Sequence, residues 1–350
     1  MELLSTGNKE ITIYDIAREL NISPATVSRG LNDHPAVNKE TKKKIFNMAK
    51  EMGYRSNTFA SNLRRQRTNT IGVIVPRLNS NFMSSVIAGM EKVANDAGYN
   101  LIISQSLETA KKEATNAQTM FNSRVDGLLV SLAYDTDNIE HFKDFLKKGI
   151  PVIFFDRVFN HKQCTGIVID NVKAAQEVTS HLIGQGCRRI VHITGNLKRN
   201  VYADRLKGYK YALADHNLEL DNNLIIQTNL SVEDGIAAAE KILQMNTLPD
   251  GVFAANDACA VSCLQTLKQA GIAIPQDIAF AGFNNDPVSK VVEPNLTTVD
   301  YPGYEMGEVA AQNLISHLNG TSNINSTNTI ILRSELVIRA SSLRSDSLNK

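Results

Sequence analysis

From Thr70 onward the sequence alternates short, β-rich apolar runs with amphipathic stretches of helical period, a pattern that few architectures can satisfy. Runs at residues 71–76, 100–106, 127–133 and 151–156 read as strands with helical segments between them, and a second series follows at 189–195, 224–229, 251–256 and 278–284. Repeated strand and helix units fold as parallel sheets covered on both faces, so two series imply two α/β lobes. Ligands of such folds sit beyond the carboxyl ends of the strands. The candidate site residues are therefore those just after each run.

Those residues are polar but carry no recognisable reaction motif. Residues 79–82 follow the first run, Asp156 and Arg157 the fourth, Asn256 and Asp257 a later one, and Asn284, Asn285 and Asp286 the next. No dinucleotide fingerprint, phosphate loop, His-Glu-x-x-His or Gly-x-Ser-x-Gly stands at a strand end. No nucleophile with an adjacent base is identifiable, so a non-enzyme is expected. Carboxylate, amide and guanidinium groups with an aromatic face suit a hydroxyl-rich small ligand. Cys164, Cys187, Cys259 and Cys263 lack metal-ligand spacing, and the expectation is small apolar packing with no metal and no cofactor.

Charge separates a different N-terminal part. Residues 1–69 hold 12 Lys and Arg against 7 Asp and Glu, whereas the remainder holds 25 against 29. A basic arm on a slightly acidic body points to a polyanion partner for the arm alone. The opening residues lack an apolar signal core and no run is long enough to cross a bilayer, so a cytoplasmic protein without membrane contact is expected.

Three short helices are predicted within the basic arm. Thr12 caps the first, with Asp15 three residues on and Ile16, Ala17 and Leu20 on one face. Ser23 and Pro24 start the second as cap and first helical residue, with Val27 and Leu31 facing inward. The third runs from Asn38 through Ile45, Met48, Ala49 and Met52 to a glycine stop at Gly53. Three helices joined by tight turns describe a helix-turn-helix unit, although helix count alone also fits a small bundle without a DNA role.

Residue identities favour DNA. The strings Ile11-Thr12-Ile13-Tyr14-Asp15-Ile16-Ala17, Ile22-Ser23-Pro24-Ala25-Thr26-Val27-Ser28-Arg29-Gly30-Leu31-Asn32 and Val37-Asn38-Lys39-Glu40-Thr41, leading to Met52-Gly53-Tyr54, strongly resemble the headpiece of the lactose/galactose repressor family. The resemblance implies that the second helix enters the major groove. Pro24, Ala25 and Arg29 would then face base edges, with Thr12, Ser23, Thr26 and Ser28 placed for phosphate or neighbouring contacts. Arg29 suits a bidentate pair to guanine, whereas Pro24 and Ala25 offer shape and apolar contact. Gly30 replaces the usual apolar residue and is expected to loosen the helix end.

The same resemblance implies a hinge helix over residues 56–69 that folds on DNA, with Asn57 and Arg64 among its DNA contacts and Leu63 wedged into the minor groove. Ser56 and Ser61 stand where proline and arginine are common.

Residues 70–350 resemble the family's periplasmic-binding-protein-like core, with one lobe expected at about 70–169 and 299–329 and the other at about 170–298 and 330–350. By motif, Phe82, Asp156, Arg205, Asn256, Asp257 and Asn284 fall at effector-contact positions, Asn284 where many relatives carry an acidic residue. The implied protein has a DNA-binding domain at 1–55 and acts as a transcription regulator, a repressor by type, on double-stranded operator DNA. A small effector between the lobes, a sugar or sugar derivative, would control it; a nucleoside effector and a binding protein without DNA function are the alternatives. A homodimer is expected, because paired headpieces match half-sites about 10 bp apart. No heptad region follows Arg344, so a coiled-coil tetramer is not.

Overall fold

The computed structural model describes residues 11–54 and 67–344. It divides into two compact units with the boundary between Thr68 and Asn69.

In the first unit, helices α1 (Ile13–Glu19), α2 (Pro24–Leu31) and α3 (Lys39–Glu51) bury Ile16, Ala17, Val27, Ile45 and Ala49 against one another. Local chemistry sets each start. The backbone N–H and hydroxyl of Thr12 both donate to the Asp15 carboxylate, at 2.9 and 2.6 Å. Ser23 Oγ accepts from the Thr26 amide at 3.1 Å and Asn38 Oδ1 from the Thr41 amide at 2.8 Å, each satisfying an orphan donor of a first turn. Gly53, at φ +68°, ends the last helix in the left-handed region as expected. Gly30 does not loosen α2, which continues through it to Leu31. It is buried, and a Cβ there would lie only 2.4 Å from Cδ1 of Ile45, so glycine here lets α2 and α3 approach.

The second unit contains two parallel sheets. All eight expected strands occur, as β1 (Thr70–Val75), β2 (Asn100–Gln105), β3 (Gly127–Val130), β4 (Val152–Phe155), β6 (Ile190–Thr194), β7 (Ile225–Gln227), β8 (Gly251–Ala254) and β9 (Ala279–Ala281). Four more lie outside the two expected series: β5 (Thr165–Ile169), β10 (Thr298–Asp300), β11 (Thr329–Leu332) and β12 (Glu335–Val337). The first lobe carries the parallel order β11-β5-β4-β3-β1-β2 and the second β7-β6-β8-β9, while β10 and β12 form an antiparallel ribbon. Because β11 pairs with β5, the first lobe extends to Leu332, three residues past the break expected after 329. Strands β3, β4 and β8 are buried throughout, which is why they read as unbroken apolar runs.

Helices α4 (Asn81–Asp96), α5 (Ala110–Asn122), α6 (Lys143–Lys147) and α12 (Gly303–Leu318) clothe the first sheet. Helices α7 (Asn171–Gly184), α8 (Asn200–Asp215), α9 (Val232–Leu243), α10 (Asp257–Gln269) and the short α11 (Val288–Val291) belong to the second lobe. Helices α7 and α8 cross in close contact: a Cβ on Gly208 would meet the Val172 carbonyl oxygen at 2.1 Å. One apolar cluster runs from Val75 and Phe82 in the first lobe through Tyr301 and Val299 to Phe283, Phe253 and Tyr209 in the second. Among the described residues no helix is long and apolar enough to cross a membrane.

Candidate functional sites

Helix α2 presents one face outward. Ser23, Ala25 and Arg29 are exposed, Pro24, Thr26 and Ser28 are half-buried, and Val27 and Gly30 point into the core. Ala25 and Arg29 stand four residues apart and so share a face. Among the described residues no carboxylate lies within 4.0 Å of Arg29, which leaves its guanidinium fork open to a base edge. The hydroxyl of Ser23 is taken up by the helix start and by Thr26 Oγ1 at 2.8 Å, and that of Thr12 by Asp15. Asn57, Leu63 and Arg64 lie outside the described residues.

The second candidate site lies where the carboxyl ends of both sheets face each other. Asp156 follows β4 with φ +58°, and its Oδ1 accepts from Tyr301 Oη at 2.8 Å while Oδ2 lies 3.3 Å from Ser131 Oγ. Arg205 projects from α8 in the opposite lobe, donating to Asn171 Oδ1 at 2.9 Å and to the Ala255 carbonyl at 2.7 Å. Its guanidinium carbon stacks 3.6 Å from the centre of the Phe283 ring and 5.6 Å from that of Tyr301. Tyr301 thus links the two expected residues: its hydroxyl holds Asp156 and its ring faces Arg205. Phe82 completes the wall by stacking on Tyr301 with ring centres 4.2 Å apart. Burial lowers the Arg205 pKa, partly offset by Tyr301, Tyr202 and Asp156, and burial followed by Asp156 raises that of Tyr301, so the phenol stays a donor.

A second set of contacts joins the lobes beside this wall. The Asn200 side chain donates to the Asp156 carbonyl at 3.0 Å and accepts from the Val158 amide at 3.0 Å. Arg157 donates to Tyr202 Oη at 3.1 Å and to Glu108 at 2.7 Å, with its guanidinium over the Tyr134 ring at 4.3 Å. Burial opposes the Arg157 charge, yet Tyr202, Glu108, Tyr134 and Asp156 outweigh it and raise the pKa. Arg199 donates across the lobes to the Thr136 carbonyl. Tyr134, Asn171, Arg199, Tyr202 and Tyr301 are not singled out by the sequence; their one available signal is position, each standing just beyond a strand or at a helix start.

Three more of the expected effector residues carry structural bonds of their own. Asn256 caps α10, accepting from the Cys259 amide at 2.9 Å and donating to the Leu230 carbonyl at 2.9 Å. Asp257 is wholly buried, its two oxygens accepting from Thr298 Oγ1 and the Asp286 amide, each at 2.7 Å; burial pushes its pKa up to about 7. Asn284 sits at φ +114° with its amide 3.5 Å from Asp286, pinning the loop after β9. Among the described residues no group of three His, Cys, Asp or Glu could hold a metal ion, and the four cysteines are buried and unpaired.

Comparison with known proteins bears on both units. Residues 12–57 match the model of bacterial regulatory proteins of the lacI family, and residues 179–342 match a periplasmic binding protein-like domain. Catabolite control protein A of Priestia megaterium is 33% identical over 310 residues, covering 88% of this chain and 93% of that protein. The ribose operon repressor of Haemophilus influenzae is 31% identical over 330 residues, 94% of this chain and 98% of its own. Among solved structures, the transcriptional regulator CelR in complex with cellobiose superimposes with a TM-score of 0.72 at 25% identity, over 95% of this chain and all of that one. A helix-turn-helix unit ahead of a two-sheet core, with near full-length identity to transcription regulators, makes this chain a member of the LacI family of DNA-binding bacterial transcription regulators.

Proposed function

We propose that the chain is a cytoplasmic repressor that binds operator DNA as a homodimer and is controlled by a sugar or sugar derivative held between its lobes. The observation that carries the ligand reading is the convergence of Asp156 from one lobe and Arg205 from the other on Tyr301, beside the Phe82 ring. Carboxylate and guanidinium groups recognise vicinal hydroxyls, and the stacked rings cover an apolar sugar face. The bound cellobiose of CelR supports a carbohydrate.

Control follows from two lobes sharing one ligand. The contacts of Asn200, Arg157 and Arg199 across the lobes depend on lobe angle, so a ligand that touches both sides has different affinity for different angles. Only that difference shifts an equilibrium, by a factor of ten for about 1.4 kcal/mol. Operator reading falls to Ala25 and Arg29 on the open face of α2, with Asn57, Leu63 and Arg64 as further contacts. Exposed Leu78, Ile102, Ile103 and Leu107 at and beside the open edge strand β2 support a surface that a second copy covers.

Operator titration with and without candidate sugars tests the reading. Asp156→Ala and Arg205→Ala should abolish the response to an active sugar yet keep ligand-free operator binding. If both variants respond at the wild-type concentration, the pocket lies elsewhere; if both lose DNA binding altogether, the two side chains are only structural supports.

A further inference from the structure

Three arginines are buried at the cleft, and two of them keep an Nε–H without a hydrogen-bond partner. Arg157, Arg199 and Arg205 are 8, 5 and 3% exposed. Arg157 is paired, lying 2.7 Å from Glu108 and 4.0 Å from Asp156, and Glu108 is shared with Arg77 at 3.9 Å. Among the described residues no carboxylate lies within 4.0 Å of Arg199 or Arg205. Arg205 is nonetheless well supplied with acceptors, from Asn171 and Ala255. Arg199 is not: it donates to the Thr136 carbonyl, and its Nε has no partner. The Nε of Arg157 is likewise buried without a hydrogen-bond partner, its nearest carboxylate oxygen being that of Asp156 at 4.0 Å.

These two groups belong to one stretch of the lobe interface. Arg157, of the first lobe, bonds Tyr202, and Arg199, three residues before Tyr202, bonds Thr136 of the first lobe. Burial first, and the Arg157 charge second, lower the Arg199 pKa, and Glu113, Asp137 and Asp135, all beyond 4.0 Å, offset this only in part. Arg199 also stands at the N-cap of the sixteen-residue α8 without a side-chain cap, and the positive end of the helix dipole adds to the same field. A buried cation with an unmet N–H, a second beside it and an uncapped helix start form a site for an anion, whose oxygens accept charge-assisted bonds and cancel the repulsion.

We propose that the effector carries an anionic group, a phosphate or carboxylate on a sugar skeleton, held by Arg199 and Arg157 at the start of α8. This inference rests on the cleft being the effector site and adds which chemical class the cleft selects. Asp156 and Tyr301 then hold hydroxyls at one end of the ligand, and Arg199 holds its charged end.

The test is calorimetric titration of the full-length protein at matched ionic strength with glucose, glucose 6-phosphate, gluconate and inorganic phosphate, repeated on Arg199→Gln, Arg199→Lys, Asp156→Ala and Arg205→Ala. We expect at least one anionic probe to bind, with affinity falling about tenfold or more in Arg199→Gln, while Arg199→Lys recovers part of the loss by restoring the charge. Phosphate bound by the basic N-terminal unit persists in both Arg199 variants, so the difference between proteins isolates the cleft. No binding of any anionic probe overturns the proposal. If glucose binds equally to wild type and Arg199→Gln, and more tightly than every anionic probe, but is lost in Asp156→Ala, the anion site falls and the cleft reading stands. Anionic binding indifferent to Arg199→Gln and Arg205→Ala alike removes both.

Discussion

Replacing Gly208 by alanine should damage the sensing unit by a calculable amount, because the new methyl meets backbone and not a yielding side chain. Its carbon would lie 2.1 Å from the Val172 carbonyl oxygen and 2.9 Å from both Ala175 Cβ and the Gln176 nitrogen. Close C···O contacts bottom out near 3.3 Å, so α7 and α8 must part by roughly 1 Å. Overpacking of this kind costs about 3 kcal/mol at the upper end of its usual range. Alanine's helix preference returns about 1 kcal/mol, leaving a net loss of about 2 kcal/mol. For a unit of about 280 residues, with an unfolding entropy of about 2.1 cal/mol/K per residue, that lowers the melting temperature by about 3 °C. The same displacement stretches the 2.9 Å bond from Arg205, one turn before Gly208, to Asn171, beside Val172, so ligand response should fall with stability. Gly184 is the internal control: it ends α7, is exposed, and a Cβ added to it would meet nothing within 4 Å. Gly184→Ala should raise the melting temperature slightly, by the helix preference alone. Scanning calorimetry of the three proteins decides the matter. A Gly208→Ala melting temperature within about 1 °C of wild type, or a larger loss in Gly184→Ala, would refute the argument from helix proximity.

His192 is wholly buried on β6 between the Tyr209 and Phe253 rings, and burial pushes its pKa down to about 4 against about 6.5 unfolded. Its contribution is therefore present above pH 6.5 and lost as pH falls through 4, on the order of 3 kcal/mol; the difference in stability between wild type and His192→Phe, followed from pH 7 to 4 by chemical denaturation, should shrink by that amount, and a flat difference would contradict it. Arg29→Ala should relax base preference at one operator position, costing about 1–3 kcal/mol there, and a uniform loss across sequences in a binding-site selection would instead mark a phosphate contact. Leu63→Ala should weaken specific binding and reduce DNA bending while sparing weak nonspecific binding, and unchanged bending in a gel-phasing assay would make Leu63 simple linker.

What could be read from the sequence depended on how far apart in the chain the interacting groups stand. Strands β3, β4 and β8 announce themselves because burial on both faces forces an apolar run. Strands β10 and β12 are three residues long, and the ribbon they form leaves Asp300 and Glu335 exposed, so neither shows a period. Strand β11 is an edge strand with alternating exposure, and Ile331 faces outward. Within the cleft, Asp156 and Arg205 were legible from local motifs, but Tyr301 reaches Asp156 across 145 residues and Tyr202 reaches Arg157 across 45, pairings that no local spacing encodes. Asn256 is legible in another way. An asparagine directly before a helix is an N-cap by the ordinary rules, and its bond to the Cys259 amide is the capping bond those rules describe.

The position of β11 bears on the order in which this protein comes into being. About 280 residues separate Tyr54, at the close of the helix-turn-helix unit, from Leu332, which completes the first sheet. At a synthesis rate of roughly 5–20 residues per second, that stretch takes roughly 14–56 s to emerge. Helix α12, which packs on α4, also comes from this late segment. The three-helix unit, with its own buried core, can therefore fold on the ribosome while the sensing lobe still lacks its cover and its last strand. In a newly made chain the helix-turn-helix unit can thus be folded before the first sheet of the sensing unit is complete.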